Sequence, residues 1–341
     1  MFRDAIYVIS IQYLSIGQAG GTGLLLAFAE NPFTDLRRGI NSPMPAFGTS
    51  LRFSGSTAAG LVAVNIAAVV FGSTALFGKL EVSPIWIVVG RAAFAAITLL
   101  ILAVVYRLPF RAHRTDLAKV GLTGLFLALH WVTFFTSVQE AGVAVATLTF
   151  ATFPLFTVLI DARARQQLPT IIEVGAGLAI ILAVSLLVGR GLSDGAVARN
   201  GAIVGLLSAL FFALFSVSSQ RLGQKLNPVV LSVYQNMVVV LFLAPGLPFA
   251  ARIPSVHDWL IIAALGVIAT ALMHQLYFFS LKRLPAAVCG GFIALEPVYA
   301  IIFASILFSE SIGAMIVFSG ALIIGASLLL LSRSEMGVAA N

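Results

Sequence analysis

Residues 135–154 read FTSVQEAGVAVATLTFATFP, and residues 278–297, 143 positions later, read FFSLKRLPAAVCGGFIALEP. Phe135 falls on Phe278, Ser137 on Ser280, Val145 on Val288 and Pro154 on Pro297. Further along, Gln167 falls on Glu310 and Gly177 on Gly320, while upstream an offset of 144 places Pro84 on Pro228 and Arg91 on Gln235. The chain therefore contains an internal duplication, and each copy has room for five apolar runs. Five is odd, so a second copy that follows the first must cross a membrane in the opposite sense. Inverted repeats of this kind build a central site that opens alternately to the two sides.

Composition agrees. Hydrophobic residues make up 60% and charged residues 10% of the 341, against roughly 25% charged in soluble domains. Spanning a bilayer takes about 20 mostly apolar residues. Ten stretches qualify, at roughly 58–78, 84–106, 117–137, 141–160, 170–189, 200–219, 228–249, 259–281, 285–308 and 311–332. Inside lipid each backbone must satisfy its own hydrogen bonds, and these lengths suit helices rather than barrel strands. The expected fold is an all-α membrane protein of ten transmembrane helices, arranged as two inverted five-helix repeats. The first repeat covers residues 56–192 and the second 199–333. Residues 1–55 match neither copy and are read as an N-terminal extension; an extra helix, a disordered stretch and a true start at Met44 are all left open. A secretory signal is disfavoured there by balanced charge and the lack of a clean cleavage site.

The net charge of +7 does not call for nucleic acid, because the basic residues sit in short gaps between apolar runs. They fall unevenly. One side has Arg52, Arg107, Arg111, Arg114, Lys119, Arg163, Arg165, Arg221, Lys225, Lys282, Arg283 and Arg333; the other has Lys79, Arg190, Arg199 and Arg252. By the positive-inside rule the first side is cytoplasmic, which puts both ends of the ten-span core inside a cell (inner) membrane. The inversion shows in one comparison: Glu140-Ala141-Gly142 is acidic, and its repeat partner Arg283-Leu284-Pro285 is basic.

These residues carry a family resemblance. Pro84 with Arg91, Leu129-His130-Trp131 with Phe134-Phe135, Ala144 to Pro154, Thr270 to His274, and the block from Lys282-Arg283-Leu284-Pro285 through Glu296-Pro297 to Glu310 and Gly320 resemble the drug/metabolite transporter superfamily. The resemblance is to its EamA group of ten-helix carriers and covers about residues 56–333. It implies two five-helix halves around a central cavity and a small metabolite, often an amino acid or related compound, moved usually outward. Within these motifs the first copy departs from the second where Phe153 stands for Glu296 and Gln167 for Glu310.

Read on their own, the polar residues inside the spans offer several candidates. Glu296 costs roughly 2.5–3.5 kcal/mol to insert, so it should face protein or water. It suits a substrate amine or a proton, or else satisfies a neighbouring helix near Pro297. Arg91 suits a carboxylate or phosphate, or else snorkels or ties down a helix end; the structural reading is preferred. His130, Trp131, His274, Gln275 and Tyr277 place imidazole and aromatic groups at equivalent depth in the third and eighth spans, where they could line a cavity by stacking or cation–π contact or simply pack. Asn65 is a lone polar group in the first span. The expected substrate-binding set is His130, Trp131, His274, Gln275, Tyr277, Glu296 and Asn65. The expected structural or gating set is Arg91, Gln235, Pro154 and Pro297.

No catalytic residue, cofactor or metal is expected. The chain lacks HExxH and a phosphate loop, and Cys289 is the only thiol, which disfavours zinc. The protein is thus expected to be a secondary transporter rather than an enzyme, with a small-molecule substrate and the lipid bilayer as partners. Proton coupling and a homodimer are left open. Alternating access would use spans 1, 3, 4, 6, 8 and 9 around the site, with spans 5 and 10 packing. The alternative is a non-transporting membrane component, a sensor or assembly subunit.

Overall fold

The structure is a computed structural model that describes residues 55–339, apart from 111–113, 167, 169, 195, 224, 282, 285–288, 290–291, 294 and 311. The N-terminal extension (all but Gly55), Gln167 and most of the loop after Arg283 lie outside the described residues. The rest is helical. In chain order the elements are α1 (Gly55–Thr74, continued by a tight turn Ala75–Lys79), α2 (Pro84–Val105), α3 (Arg114–Phe150), α4 (Phe153–Arg165), α5 (Ile171–Asp194) and α6 (Ala196–Gly223). They continue with α7 (Pro228–Leu243), α8 (Val256–Ala264), a π-helical turn (Leu265–Leu272), α9 (Met273–Leu281), α10 (Glu296–Phe308) and α11 (Ala314–Ala339).

Among the described residues six helices are long and apolar enough to cross a membrane, and shorter apolar helices cover Ile171–Leu186, Glu296–Phe308 and Ala314–Leu330. The rod α3 holds one span and the start of the next. Gly142 breaks it with φ 82° and ψ 168°, a left-handed conformation that favours glycine because it has no Cβ to clash. The spans that begin after Gly142 and after Leu284 are both interrupted. The first turns at Ala151-Thr152 before α4 starts at Phe153; the second turns at Leu295 before α10 starts at Glu296. Pro154 and Pro297 take the second position of these half-helices, where a missing N–H leaves nothing unsatisfied.

The packing follows the duplication. α2 lies on its repeat counterpart α7, and α5 on its counterpart α11. Between these two pairs, α3 packs on α6 much as α9 packs on α1, while α4 meets α6 as α10 meets α1. Pro84 and Pro228 start α2 and α7 from extended residues, and Asn227 caps the second by accepting from Val229 N at 3.0 Å. Two-fold inverted arrangement of the spans is what sequence inversion required. The chain is an all-α, multi-pass membrane protein of inverted repeats.

One local departure from the two-fold matters. Gly124 of α3 lies against Gln235 O and Val238 of α7, and Gly266 lies against Arg91 O and Phe94 of α2. Gln235 and Val238 are the counterparts of Arg91 and Phe94 at 144 residues, so Gly124 and Gly266 are structural equivalents. Their offset is 266 − 124 = 142, whereas Trp131 and His274 differ by 274 − 131 = 143. The second copy has gained one residue in between, and the π-helical turn Leu265–Leu272 is where it is absorbed. Such single-turn π segments arise from one-residue insertions into a helix and gather at functional sites.

At the end bearing Lys79, Glu310 joins the two copies. Its Oε1 lies 2.6 Å from Lys79 Nζ and accepts from Val143 N at 3.3 Å, beside the Gly142 break. Gln139 Nε2 donates to Leu80 O and Val82 O at 3.3 and 2.9 Å, closing the same end of α3 onto the α1–α2 connection.

Candidate functional site

Arg91 projects from the third turn of α2 into the space between α3 and the π turn. It does not snorkel: only 4% of it is exposed. Its Nε and Nη2 donate to Thr270 Oγ1 at 3.1 and 2.9 Å. The guanidinium lies 4.0 Å above the ring of Trp131 and 5.7 Å from that of Phe135. Thr270 in turn donates to Leu265 O at 3.0 Å, a bond that spans five residues and belongs to the π turn. The extra residue of the second copy thus sets the hydroxyl that fixes the arginine.

Glu296, the first residue of α10, is 8% exposed. Its charge couples to that of Arg91, yet the two form no ion pair, and its carboxylate takes no hydrogen bond from the described residues. Arg91 also acts electrostatically on His130 and His274. His274 Nδ1 is 2.6 Å from Thr270 O, and its ring meets Phe71 of α1 edge-on at 5.2 Å. These contacts link Arg91, Trp131, Thr270 and His274, and Glu296 is tied to the group by charge alone.

The first copy carries apolar rings at the corresponding depth. Phe153, the counterpart of Glu296, stacks on Phe150 at 5.5 Å and meets Phe212 edge-on at 4.9 Å. His130 sits in this cluster, 5.1 Å from Phe150 and 5.0 Å from Phe212. Its Nδ1 lies 2.8 Å from Ser208 Oγ, and Ser208 Oγ donates to His130 O at 3.1 Å. That reciprocal pair ties α3 to α6. Gln235 is also tied down, with Nε2 donating to Thr123 Oγ1 at 3.0 Å and Ser219 Oγ at 2.9 Å.

The other expected residues are more scattered. Tyr277 packs beside Val64, Leu284 and Cys289 with Leu61 and Phe292, a cluster separate from that of Trp131. Gln275 Nε2 is sealed from solvent without a partner. Asn65 is half-buried on α1. Pro154 and Pro297 are buried at the breaks before α4 and α10. Thr270 and Ser208 were not singled out from the sequence as site residues. The signal for Thr270 was present in the repeat offset, which runs 144, 142 and 143 along the chain.

A buried polar set at the meeting of two inverted helical repeats defines the class: a membrane carrier of small molecules. The chain matches the EamA-like transporter family twice, over residues 58–189 and 199–332. It belongs to that family. It is similar to the uncharacterized transporter YetK of Bacillus subtilis, 27% identical over 267 residues, with 73% of this chain and 79% of YetK covered. The uncharacterized transporter YxxF of the same organism is 24% identical over 216 residues, covering 61% and 69%. The threonine/homoserine exporter RhtA of Salmonella typhimurium is 25% identical over 198 residues, covering 57% of this chain and 64% of RhtA. A solved crystal structure aligns over 81% of this chain and 96% of its own with a TM-score of 0.57; at 17% identity it shows the fold alone.

Proposed function

We infer that this protein is a secondary transporter that exports a small organic metabolite, an amino acid or a related compound, by alternating access. One observation carries this reading: a charged arginine and a carboxylate, each costly inside a span, are both buried where the two inverted copies face each other. Residues held at such cost are kept for a ligand or a proton more readily than for packing. RhtA, by its name, exports threonine and homoserine, which favours amino acids and the outward direction.

The proposed orientation follows the lysine and arginine bias, with both ends of the ten-span core cytoplasmic in a cell inner membrane. On that orientation Lys79, Gly142 and Glu310 lie at the outer end. The proposed site comprises Glu296, Trp131, His130, His274, Gln275, Tyr277 and Asn65, with Arg91, Gln235, Pro154 and Pro297 holding the helices around it. The breaks at Ala151-Thr152 and Leu295 give the half-helices α4 and α10 freedom to rock against α6 and α1. Proton coupling through Glu296 belongs to the same proposal. Counterflow into proteoliposomes across a broad metabolite panel tests it. Exchange of at least one amino-acid-like solute is expected, and no exchange for any member would sink the transporter reading. Retention of pH-driven uptake in Glu296→Gln would remove the proton role alone.

A further inference from the structure

The contacts of His274 fix which of its ring nitrogens carries a hydrogen. Nδ1 lies 2.6 Å from Thr270 O, and a carbonyl oxygen can only accept. Nδ1 therefore donates. The bond that one ring nitrogen makes decides the state of the other, so in the neutral imidazole Nε2 is bare and its lone pair is an acceptor. Turning the ring over would set a carbon against Thr270 O and forfeit the bond, and Phe71 of α1 holds the ring from the other side, edge-on at 5.2 Å. His130 is fixed in the same way. Its Nδ1 is 2.8 Å from Ser208 Oγ and 3.2 Å from Ser208 O. The one hydrogen of that hydroxyl goes to His130 O at 3.1 Å, so both atoms that face Nδ1 are acceptors. Each copy thus holds its histidine in the Nδ1–H form.

Of the two, His274 is the more open. His130 is 6% exposed among the rings of Phe134, Phe150 and Phe212, whereas His274 is only partly buried. Nε2 of His274 has no partner among the described residues. It is not one of the unpartnered polar atoms sealed from solvent, although Nε2 of the next residue, Gln275, is. The lone pair of His274 therefore borders accessible space. Arg91 donates to the hydroxyl of the same Thr270 at 3.1 and 2.9 Å, so a guanidinium and this imidazole are fastened to one residue. A second positive charge beside the first is costly inside a span. The ring is accordingly neutral, and an ammonium is a poor partner for it. What fits a bare nitrogen beside a fixed positive charge is a neutral donor, an O–H or an amide N–H.

We propose that His274 is a specificity-determining residue of the carrier: its Nε2, kept bare by the Nδ1–H bond to Thr270 O, accepts a hydrogen bond from a neutral hydroxyl or amide N–H of the transported solute. This rests on the transporter reading above. Thr270 then acts twice, its hydroxyl fixing Arg91 and its carbonyl fixing the tautomer of His274. A solute that offers only an acceptor here, such as an ether oxygen, meets a lone pair and is disfavoured.

The test uses the full chain, isotopically labelled at the histidine nitrogens. Long-range nitrogen–proton NMR separates the two neutral tautomers from each other and from the imidazolium, and the His274 signals are those that vanish in His274→Asn or His274→Gln. The Nδ1–H pattern is expected; an Nε2–H or imidazolium pattern overturns the proposal. Counterflow in proteoliposomes is then compared for serine, alanine and O-methylserine, and for asparagine and N,N-dimethylasparagine. Wild-type protein should favour serine over its two analogues, and asparagine over its dimethyl form, by about three- to tenfold, the worth of one neutral hydrogen bond. In His274→Asn the amide takes the place of Nδ1 and still donates to Thr270 O, while nothing stands where Nε2 was. That variant should keep its melting midpoint and lose the preference. His274→Gln, whose amide oxygen reaches the place of Nε2, should recover part of it, a rescue that a merely structural role would not give. Equal exchange of the analogues by wild type, exchange confined to solutes without an O–H or amide N–H, or an undiminished preference in a folded His274→Asn defeats the proposal and leaves the transporter reading standing. If His274→Asn does not fold, the wild-type tautomer and ratios decide. Absence of counterflow for every solute defeats both readings.

Discussion

Arg91 and Gln235 occupy equivalent places on α2 and α7, and their surroundings differ in kind. Gln235 is a neutral amide whose Nε2 is satisfied by Thr123 and Ser219. Its role is complete within the protein: it joins α7 to α3 and α6. Arg91 is charged, is held along one side by Thr270 and over one face by Trp131, and keeps donors unspent. A similar contrast separates Phe153 from Glu296. The first is satisfied by Phe150 and Phe212; the second has no partner among the described residues. One copy has been closed into packing, and the other left open for chemistry. The difference teaches that the two-fold supplies a framework, while departures from it supply the site.

The largest expected effect comes from forcing the copies to be alike. Gln235→Arg would bury a second guanidinium with Thr123 and Ser219 as its acceptors among the described residues and no counterpart of the π-turn threonine. The unpaired charge should cost about 3 kcal/mol. Thermal unfolding in detergent should show a clear fall in midpoint, and the double change Arg91→Gln with Gln235→Arg should not restore transport. Recovery in that double variant would mean the copies are interchangeable and the comparison is wrong.

Next come the two glycines that let α2 and α7 approach. A Cβ at Gly266 would stand 2.6 Å from Arg91 O, a backbone atom, whereas one at Gly124 would first meet the Val238 side chain at 2.6 Å and Gln235 O at 3.1 Å. Overpacking costs about 1–3 kcal/mol. Gly266→Ala should fall at the upper end and also impair transport, because it displaces the residue that carries Arg91. Gly124→Ala should fall at the lower end with transport retained. Equal losses in melting midpoint and transport for the two would remove the functional distinction between the copies.

Much of this was legible in the sequence, for physical reasons. Length and apolarity define spans because lipid offers no hydrogen bonds. Repeat spacing with an odd number of spans defines inversion, and the structure brings counterpart helices together as α2 with α7 and α5 with α11. Glu296, Trp131 and His274 stood out because polar or amphipathic groups inside spans are costly. Arg91 was read as a helix-end tie, since its depth along α2 is shallow. Sequence depth counts residues along one helix and is blind to the neighbour above it; Trp131 and Thr270 are what bury it. The same blindness grouped Tyr277 with His274: three residues on, it lies about one turn further along the same side of the helix, where its neighbours are Val64 and Cys289 instead. Thr270 escaped because a hydroxyl inside a helix usually bonds to its own backbone. The family resemblance took it in without a role, and the slip in repeat offset that marks its role becomes readable when Gly124 and Gly266 are seen on equivalent neighbours.

Smaller effects are expected where each copy is satisfied locally. Ser208→Ala removes the Oγ that pairs with His130 Nδ1 and leaves Ser208 O, 3.2 Å away, as a remaining partner. The loss should be about 1 kcal/mol, read as a modest drop in melting midpoint with transport retained. A large loss of transport would show that the proposed site needs His130 held by this tether, and that the first copy is less inert than its aromatic packing suggests.

The smallest effect on stability should come from Lys79→Met, yet it reports on a different asymmetry. Lys79 and Glu310 are 31% and 21% exposed, so water screens the pair and its worth should stay below about 1 kcal/mol. Glu310 also caps the helix that restarts at Val143, and that contact survives the substitution. What changes is the closure of one end, because the bridge joins α1 of the first copy to the segment after α10 of the second. A loss of that size shifts an equilibrium between open and closed forms by roughly fivefold or less. Cysteines introduced at Leu80 or Phe308 should then react faster with a membrane-impermeant thiol reagent added from the side that bears Lys79, and the gain should vanish in high salt where the wild-type pair is itself screened. Gln167 stands where Glu310 stands in the other copy and cannot form such a bridge by charge. Unchanged labelling would show that this end is held by packing and by Gln139 alone, and that the charge of Glu310 serves the Gly142 turn rather than the closure.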